Sequence, residues 1–268
     1  MIARKRALVA FILLGALLLT GCGGAANAGH GDGRSTVRVA AASDLKFALD
    51  DIAAELAAAE PEIELAITYG SSGTFFQQIS NGAPFDLYLS ADLAYPRELA
   101  GAGLAYSDDL FAYAVGRLVL WTPDGSPVDP DSGLAALADP EVTRVAIANP
   151  EHAPYGVAAV AAMQSAGVYE AVEDKLVLGE NVAQAAEFVQ SGNAQAGIIA
   201  LSLALSPPLL AAGSYAEIPL DTFLRIDQGG VVLAGARDAA AAHRVKDYLT
   251  SEPGQAVLER YGFFLPDS

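Results

Sequence analysis

The chain repeatedly alternates short apolar runs with segments that are apolar along one helical face, and this alternation constrains its fold most. Residues 37–42, 63–69, 85–89, 145–148, 176–178 and 196–199 read as buried strands. Between the first two, Leu45, Ala48, Ile52 and Leu56 recur at helical spacing. Further helical segments are predicted at 74–79, 154–166, 182–190, 239–250 and 253–261, with Pro253 suited to a first turn. Residues 110–121 form a long β-prone run, and 215–220 and 230–234 read as later strands. Alternating βα units imply parallel sheets flanked by helices, with right-handed crossovers. Ligands of such sheets sit at the carboxyl ends of the strands, beside helix N-termini.

Two serines occupy that position. Ser43 follows the first strand in Ala41-Ala42-Ser43-Asp44-Leu45, and Ser72 follows the second in Gly70-Ser71-Ser72-Gly73-Thr74. A helix N-terminus leaves amides unpaired and carries partial positive charge. Two such termini, each with a hydroxyl, can hold a small anion without Lys or Arg. Alternatively, each serine simply caps its helix. Asp44 is expected to offer its backbone amide to the anion. Its side chain is expected to turn away, to solvent or to its own helix, because a carboxylate repels a dianion. Segments 148–156 and 178–182 have the same strand–turn–helix form.

The N-terminus reads as a targeting segment. Arg4-Lys5-Arg6 precedes an apolar stretch over 7–19 that is short for a bilayer span. That stretch closes in Leu19-Thr20-Gly21-Cys22, which resembles a bacterial lipobox and implies cleavage before Cys22 and lipid attachment to its thiol. Residues 1–21 are then a lipoprotein signal peptide and 22–35 a flexible tether, with the protein anchored outside the cytoplasm or periplasmic. Cys22 is the only cysteine, so an internal disulfide is impossible. Without residues 1–21 the chain keeps 12 Lys and Arg against 32 Asp and Glu. Such an acidic balance argues against nucleic acid as a partner. It also repels anions at long range, so a bound anion must be held by local dipoles.

The four turn segments, in this order, resemble the substrate-binding proteins of molybdate ABC transporters. The most specific stretch is Gly70-Ser71-Ser72-Gly73-Thr74 followed by Gln78-Ile79-Ser80-Asn81-Gly82-Ala83-Pro84-Phe85-Asp86-Leu87-Tyr88. Asn149-Pro150-Glu151, Pro154-Tyr155-Gly156, residues 197–202 and Tyr261-Gly262-Phe263 add to it. The resemblance implies a two-lobed type II periplasmic-binding-protein fold, each lobe a mostly parallel sheet flanked by helices, joined by a two-strand hinge. Lobe one is expected at 36–113 plus 236–268 and lobe two at 114–235. The implied donors to the anion are Ser43 and Ser72 from lobe one and the backbone amides of Tyr155 and Val182 from lobe two, with Asp44 through its amide. Many relatives have a tyrosine where this chain has Ala200, and the Tyr155 hydroxyl is expected to compensate. The implied partners are molybdate or tungstate and the transporter's membrane subunits. The protein is expected to act as a monomer, with no cofactor and no metal cation.

Molybdate is a proton-free dianion at neutral pH, so a pocket of donors suits it. Hydrogen phosphate brings a proton that such a pocket leaves unpaired. Sulfate differs in size, and tungstate hardly at all. Two rival readings remain at this stage: a receptor for sulfate, phosphate or another solute, and a serine hydrolase. The hydrolase reading lacks the Gly-x-Ser-x-Gly elbow. The three histidines, His30, His152 and His243, show no metal-binding spacing. His152 is placed near the cleft, Asp86 and Asp92 at turns or caps, and Trp121 with its neighbouring tyrosines in core and hinge packing. The apolar stretch 201–210 is read as buried packing, with a surface for the membrane subunits as the alternative.

Overall fold

A computed structural model of the protein describes residues 34–266. The expected signal peptide, Cys22, His30 and all of the tether except its last two residues lie outside the described residues. Ten strands occur among the described residues: β1 (Ser35–Ala42), β2 (Ile63–Gly70), β3 (Leu87–Ser90), β4 (Ala105–Gly116), β5 (Leu118–Pro123), β6 (Val145–Ala148), β7 (Leu176–Gly179), β8 (Ala196–Ala200), β9 (Gly213–Glu217) and β10 (Ile226–Leu233). The α-helices are α1 (Lys46–Ala59), α2 (Ser72–Ser80), α3 (Ala94–Gly101), α4 (Pro154–Ser165), α5 (Tyr169–Val172), α6 (Val182–Gln190), α7 (Leu201–Ala204), α8 (Pro207–Leu210), α9 (Ala239–Thr250) and α10 (Glu252–Arg260). Ser35, expected to end the tether, instead opens β1, and its hydroxyl donates to Asp238 Oδ2 at 2.5 Å.

The strands form two five-stranded sheets, ordered β2-β1-β3-β10-β4 and β7-β6-β8-β5-β9. Both belong to one compact unit. In each sheet three strands run parallel and two antiparallel pairings complete the edge. Both antiparallel pairings of a sheet share one strand, β10 or β5, so the sheets are mixed but mostly parallel, with four of five strands pointing one way. The reason is that each lobe receives a strand delivered from the other lobe, and that strand enters against the βα direction.

The crossings are short. The expected single β run over 110–121 is two strands in different sheets, separated only by Arg117. The return runs through residues 218–225 to β10, which pairs antiparallel with β3 and β4. Residues 226–233 thus lie in the first sheet, whereas the expected range of lobe two reached 235. The C-terminal segment straps the first crossing: Val115 and Phe264 exchange backbone hydrogen bonds at 2.7 and 3.1 Å. The Arg117 guanidinium lies over the Phe264 ring, 4.4 Å from its centroid, and pairs with Glu217.

Each sheet has its own core. Leu45, Ala48, Ile52 and Leu56 are all buried, as their spacing predicts, against Val37, Val39 and Leu87 of the first sheet. In the second lobe Trp121 is buried beside Ile147, Ile198 and Met163. Tyr113 is also buried, and its hydroxyl donates to the Ser90 carbonyl at 3.0 Å. In the apolar stretch 201–210, Leu201, Leu203 and Leu209 are packed inside while Leu210 is half exposed. Asp86 is buried against Arg38, and Asp92 caps α3 by accepting the Ala94 amide at 2.8 Å.

Candidate functional site

The carboxyl ends of β1 and β2 face the N-terminal ends of α4 and α6 across the gap between the lobes. A cavity of about 10 Å³ lies there, and Ser43, Asp44, Ser72, Tyr155 and Val182 all line it. Not one of its lining residues is Lys, Arg or His, and Asp44 is the only acidic one.

Capping does not account for either serine. Ser43 and Ser72 are the first residues of their helical turns, behind Ala42 and Ser71, and neither caps its helix through the side chain. Each hydroxyl instead accepts one amide. Ser43 Oγ accepts from Ala183 at 3.2 Å, across the cleft, and Ser72 Oγ accepts from Ala91 at 2.9 Å. An oxygen oriented by an incoming amide keeps its own proton to give elsewhere.

The helix starts supply the amides. In α4, Pro154 has no N–H, and the amides of Gly156 and Val157 both go to the Ala153 carbonyl. The Tyr155 amide finds no acceptor among the described residues. In α6 the Ala183 amide goes to Ser43, Gln184 to the Asn181 side chain and Ala185 to the Asn181 carbonyl, which leaves Val182. In α2 the Gly73 amide goes to His152 and Phe75 to Ser71, which leaves Ser72 and Thr74. Of these amides, those of Ser72, Tyr155 and Val182 belong to residues that line the cavity, where the helix dipoles also favour negative charge.

Two side chains depart from expectation. The Asp44 carboxyl does not turn to solvent: it is 1% exposed, and its Oδ2 accepts from Tyr155 Oη at 3.0 Å and from Gln228 Nε2 at 2.6 Å. Its Oδ1 is buried with no hydrogen-bond partner. Burial pushes this carboxyl up to about 6, although bonds from Gln228, Tyr155 and the nearby backbone pull the other way. The Tyr155 hydroxyl is correspondingly committed to Asp44, so it does not stand in for the tyrosine absent at Ala200. Ala200 is buried at the end of β8, opposite Leu118.

Sequence reasoning missed Gln228 and Ser202. Gln228 is fully buried on β10 and bonds both Asp44 and Tyr155. Ser202, at the start of α7, donates to the Asp44 carbonyl at 2.7 Å. A glutamine inside an apolar strand was the available signal. The cluster needs room at the hinge: a Cβ on Gly116 would stand 2.3 Å from Tyr155 Oη and 2.8 Å from Gln228 Nε2.

His152 links the second lobe to the first beside the cavity. Its carbonyl accepts from the Gly73 amide at 2.9 Å and from Ser71 Oγ at 2.5 Å. Its Nδ1 lies 3.0 Å from Ser71 Oγ, and its Nε2 lies 3.6 Å from Glu180. The Ser71 proton is directed to a main-chain carbonyl, so the imidazole is placed as donor rather than as base toward that hydroxyl. Among the described residues no group of three or more His, Cys, Asp or Glu side chains could hold a metal ion. No described helix is long and apolar enough to cross a membrane.

The sequence and the two-sheet architecture match known proteins. A family profile described as bacterial extracellular solute-binding protein matches residues 37–264. The chain belongs to that family. Among its relatives is the molybdate-binding protein ModA of Rhodobacter capsulatus, 41% identical over 195 residues, 73% of this chain and 75% of the relative. ModA of Azotobacter vinelandii is 38% identical over 229 residues, 85% of this chain and 90% of the relative. The solved periplasmic molybdate-binding protein of Azotobacter vinelandii superposes with a TM-score of 0.81 at 29% identity, covering 86% of this chain and all of that one. These relatives are binding proteins, and this solute-binding protein shares their two-sheet architecture.

Proposed function

We infer that the protein captures molybdate, and with it tungstate, between its lobes and delivers it to the membrane subunits of an ABC transporter. The observation that supports this best is the convergence of unpaired amides from Ser72, Tyr155 and Val182, with the hydroxyls of Ser43 and Ser72, on a cavity without a cationic side chain. Amides and hydroxyls fixed as donors match a proton-free dianion. Charge-assisted hydrogen bonds contribute about 1.5–3 kcal/mol each, so five or six suffice for tight binding after the cost of closure. The relatives named molybdate-binding point to the same ligand. The role is that of a receptor rather than an enzyme, extracytoplasmic, monomeric and anchored through lipid on Cys22.

A thermal-shift panel of oxyanions tests the reading. A ligand at 100 times its Kd stabilises the folded state by about 2.7 kcal/mol. Molybdate and tungstate should raise the midpoint, and sulfate and phosphate at equal concentration should not. A shift with sulfate or phosphate and none with molybdate would overturn it.

A further inference from the structure

We propose that Asp44 couples oxyanion capture to a proton: its buried carboxyl is neutral when the cleft holds a dianion, so binding at neutral pH takes a proton from solvent. The inference rests on the oxyanion reading above and adds to it a linkage that the donors alone do not create.

Geometry supports it first. Asp44 is the one acidic residue in the cavity wall, and its neighbours fix it there. Tyr155 from the second lobe and Gln228 from the hinge strand both bond Oδ2, and Ser202 holds the backbone carbonyl. The carboxyl cannot swing out to water without breaking contacts that join the lobes. Its second oxygen, Oδ1, is buried without a partner. A carboxylate in that position would face a dianion at short range in a poorly solvated gap, where like charges repel strongly. A proton on Oδ1 removes the repulsion and turns the residue from acceptor to donor.

The surroundings offer no other remedy. The titratable groups facing Asp44 are the phenols of Tyr113 on β4 and Tyr155 on α4, both held well above their ordinary value by burial and by the Asp44 charge. From β10 comes the neutral amide of Gln228, from α7 the Ser202 hydroxyl, and Glu187 of α6 is exposed. Lys46, at the start of α1, turns to Asp50 at 3.1 Å. None of the hydrogen bonds to the Asp44 carboxyl comes from a cationic side chain. Burial alone lifts this carboxyl to about 6 against the pull of its hydrogen bonds. An adjacent dianion raises it further. Because the bound state holds the proton more tightly, affinity falls as pH rises through this window, by at most about tenfold per pH unit for one proton.

Calorimetry of sodium molybdate binding to the whole protein, in buffers of different ionisation enthalpy near pH 7, reads the proton directly. The expected result is an uptake approaching one proton, with Kd rising by several-fold per unit from about pH 6 to 8. The Asp44→Asn variant should bind with no uptake and a flat profile. His152 is the imidazole that bridges the lobes beside the cavity, and His152→Gln should keep the uptake. A wild-type protein that binds molybdate with a flat profile and no proton exchange overturns the proposal without touching the oxyanion reading, as does uptake that His152→Gln abolishes and Asp44→Asn retains. Absence of molybdate binding at every pH, in wild type and Asp44→Asn alike, removes both.

Discussion

The amide of Gly73, at the start of α2 in the first lobe, donates to the carbonyl of His152 in the second lobe at 2.9 Å. A Cβ on Gly73 would stand 2.6 Å from that carbonyl oxygen and 2.9 Å from the Tyr95 hydroxyl. The glycine is therefore set by the approach of the lobes and not by its helix. Closure is where a side chain at this position does damage.

Gly73→Ala should act chiefly on closure, because the Tyr95 hydroxyl, at the far end of a side chain within the same lobe, can shift whereas the His152 carbonyl is backbone. Alanine is better than glycine in a helix by up to about 1 kcal/mol, so the open form is not penalised. Calorimetry with molybdate should show at least a roughly tenfold weaker Kd, equal to about 1.4 kcal/mol. Small-angle scattering in saturating ligand should show a more open molecule than wild type. Unchanged affinity with unchanged scattering would refute the steric argument.

Ser72→Ala removes the acceptor of the Ala91 amide and, with it, the hydroxyl proposed as a donor to the anion. The buried amide left unpaired costs about 1–3 kcal/mol of stability, read as a lower unfolding midpoint without ligand. Separately, molybdate binding should weaken by roughly tenfold or more. A lower midpoint with undiminished affinity would make Ser72 a structural residue only.

Asp86 governs stability at low pH, away from the cleft. Burial raises its carboxyl, but the Arg38 guanidinium and the amides of Arg237 and Arg38 outweigh burial and hold it below its ordinary 3.8. Arg38 binds it with two side-chain hydrogen bonds, at 2.7 and 2.8 Å, and Arg237 adds its amide at 2.8 Å. A carboxyl lowered in the folded state stabilises fully above its unfolded value and stops doing so as pH falls through its folded value. The contribution should thus persist at pH 5 and fade below about pH 4. Asp86→Ala leaves Arg38 largely buried without a partner and should cost about 3–5 kcal/mol by urea unfolding at pH 7. Near pH 2 the difference from wild type should shrink. A gap that is the same at both pH values would argue against the ion pair as its source.

How much of this was legible in the chain depends on range. The strand at Val145–Ala148 and the helices at Val182–Gln190 and Ala239–Thr250 have the bounds expected from local periodicity. The placement of Ser43 and Ser72 at the cavity was legible because the end of a buried strand and the start of a helix are both local signals. The break at Arg117 was not, because strand propensity continues unbroken from Phe111 to Trp121 while the chain changes sheets. The place of β10 was equally hidden: its partners β3 and β4 lie more than a hundred residues earlier.

The sequence by itself determined two sets of βα units, two serine-bearing helix starts and strand-end turns without lysine or arginine beside them. These follow from side-chain period and backbone polarity, which act over a few residues. Only the tertiary structure decided what Asp44 does. Local chemistry sends a carboxylate away from an anion site, yet Tyr155 and Gln228, 111 and 184 residues distant, hold it inside. Desolvation and hydrogen bonding depend on which groups the fold brings together, and that is set by packing between lobes rather than by neighbours along the chain.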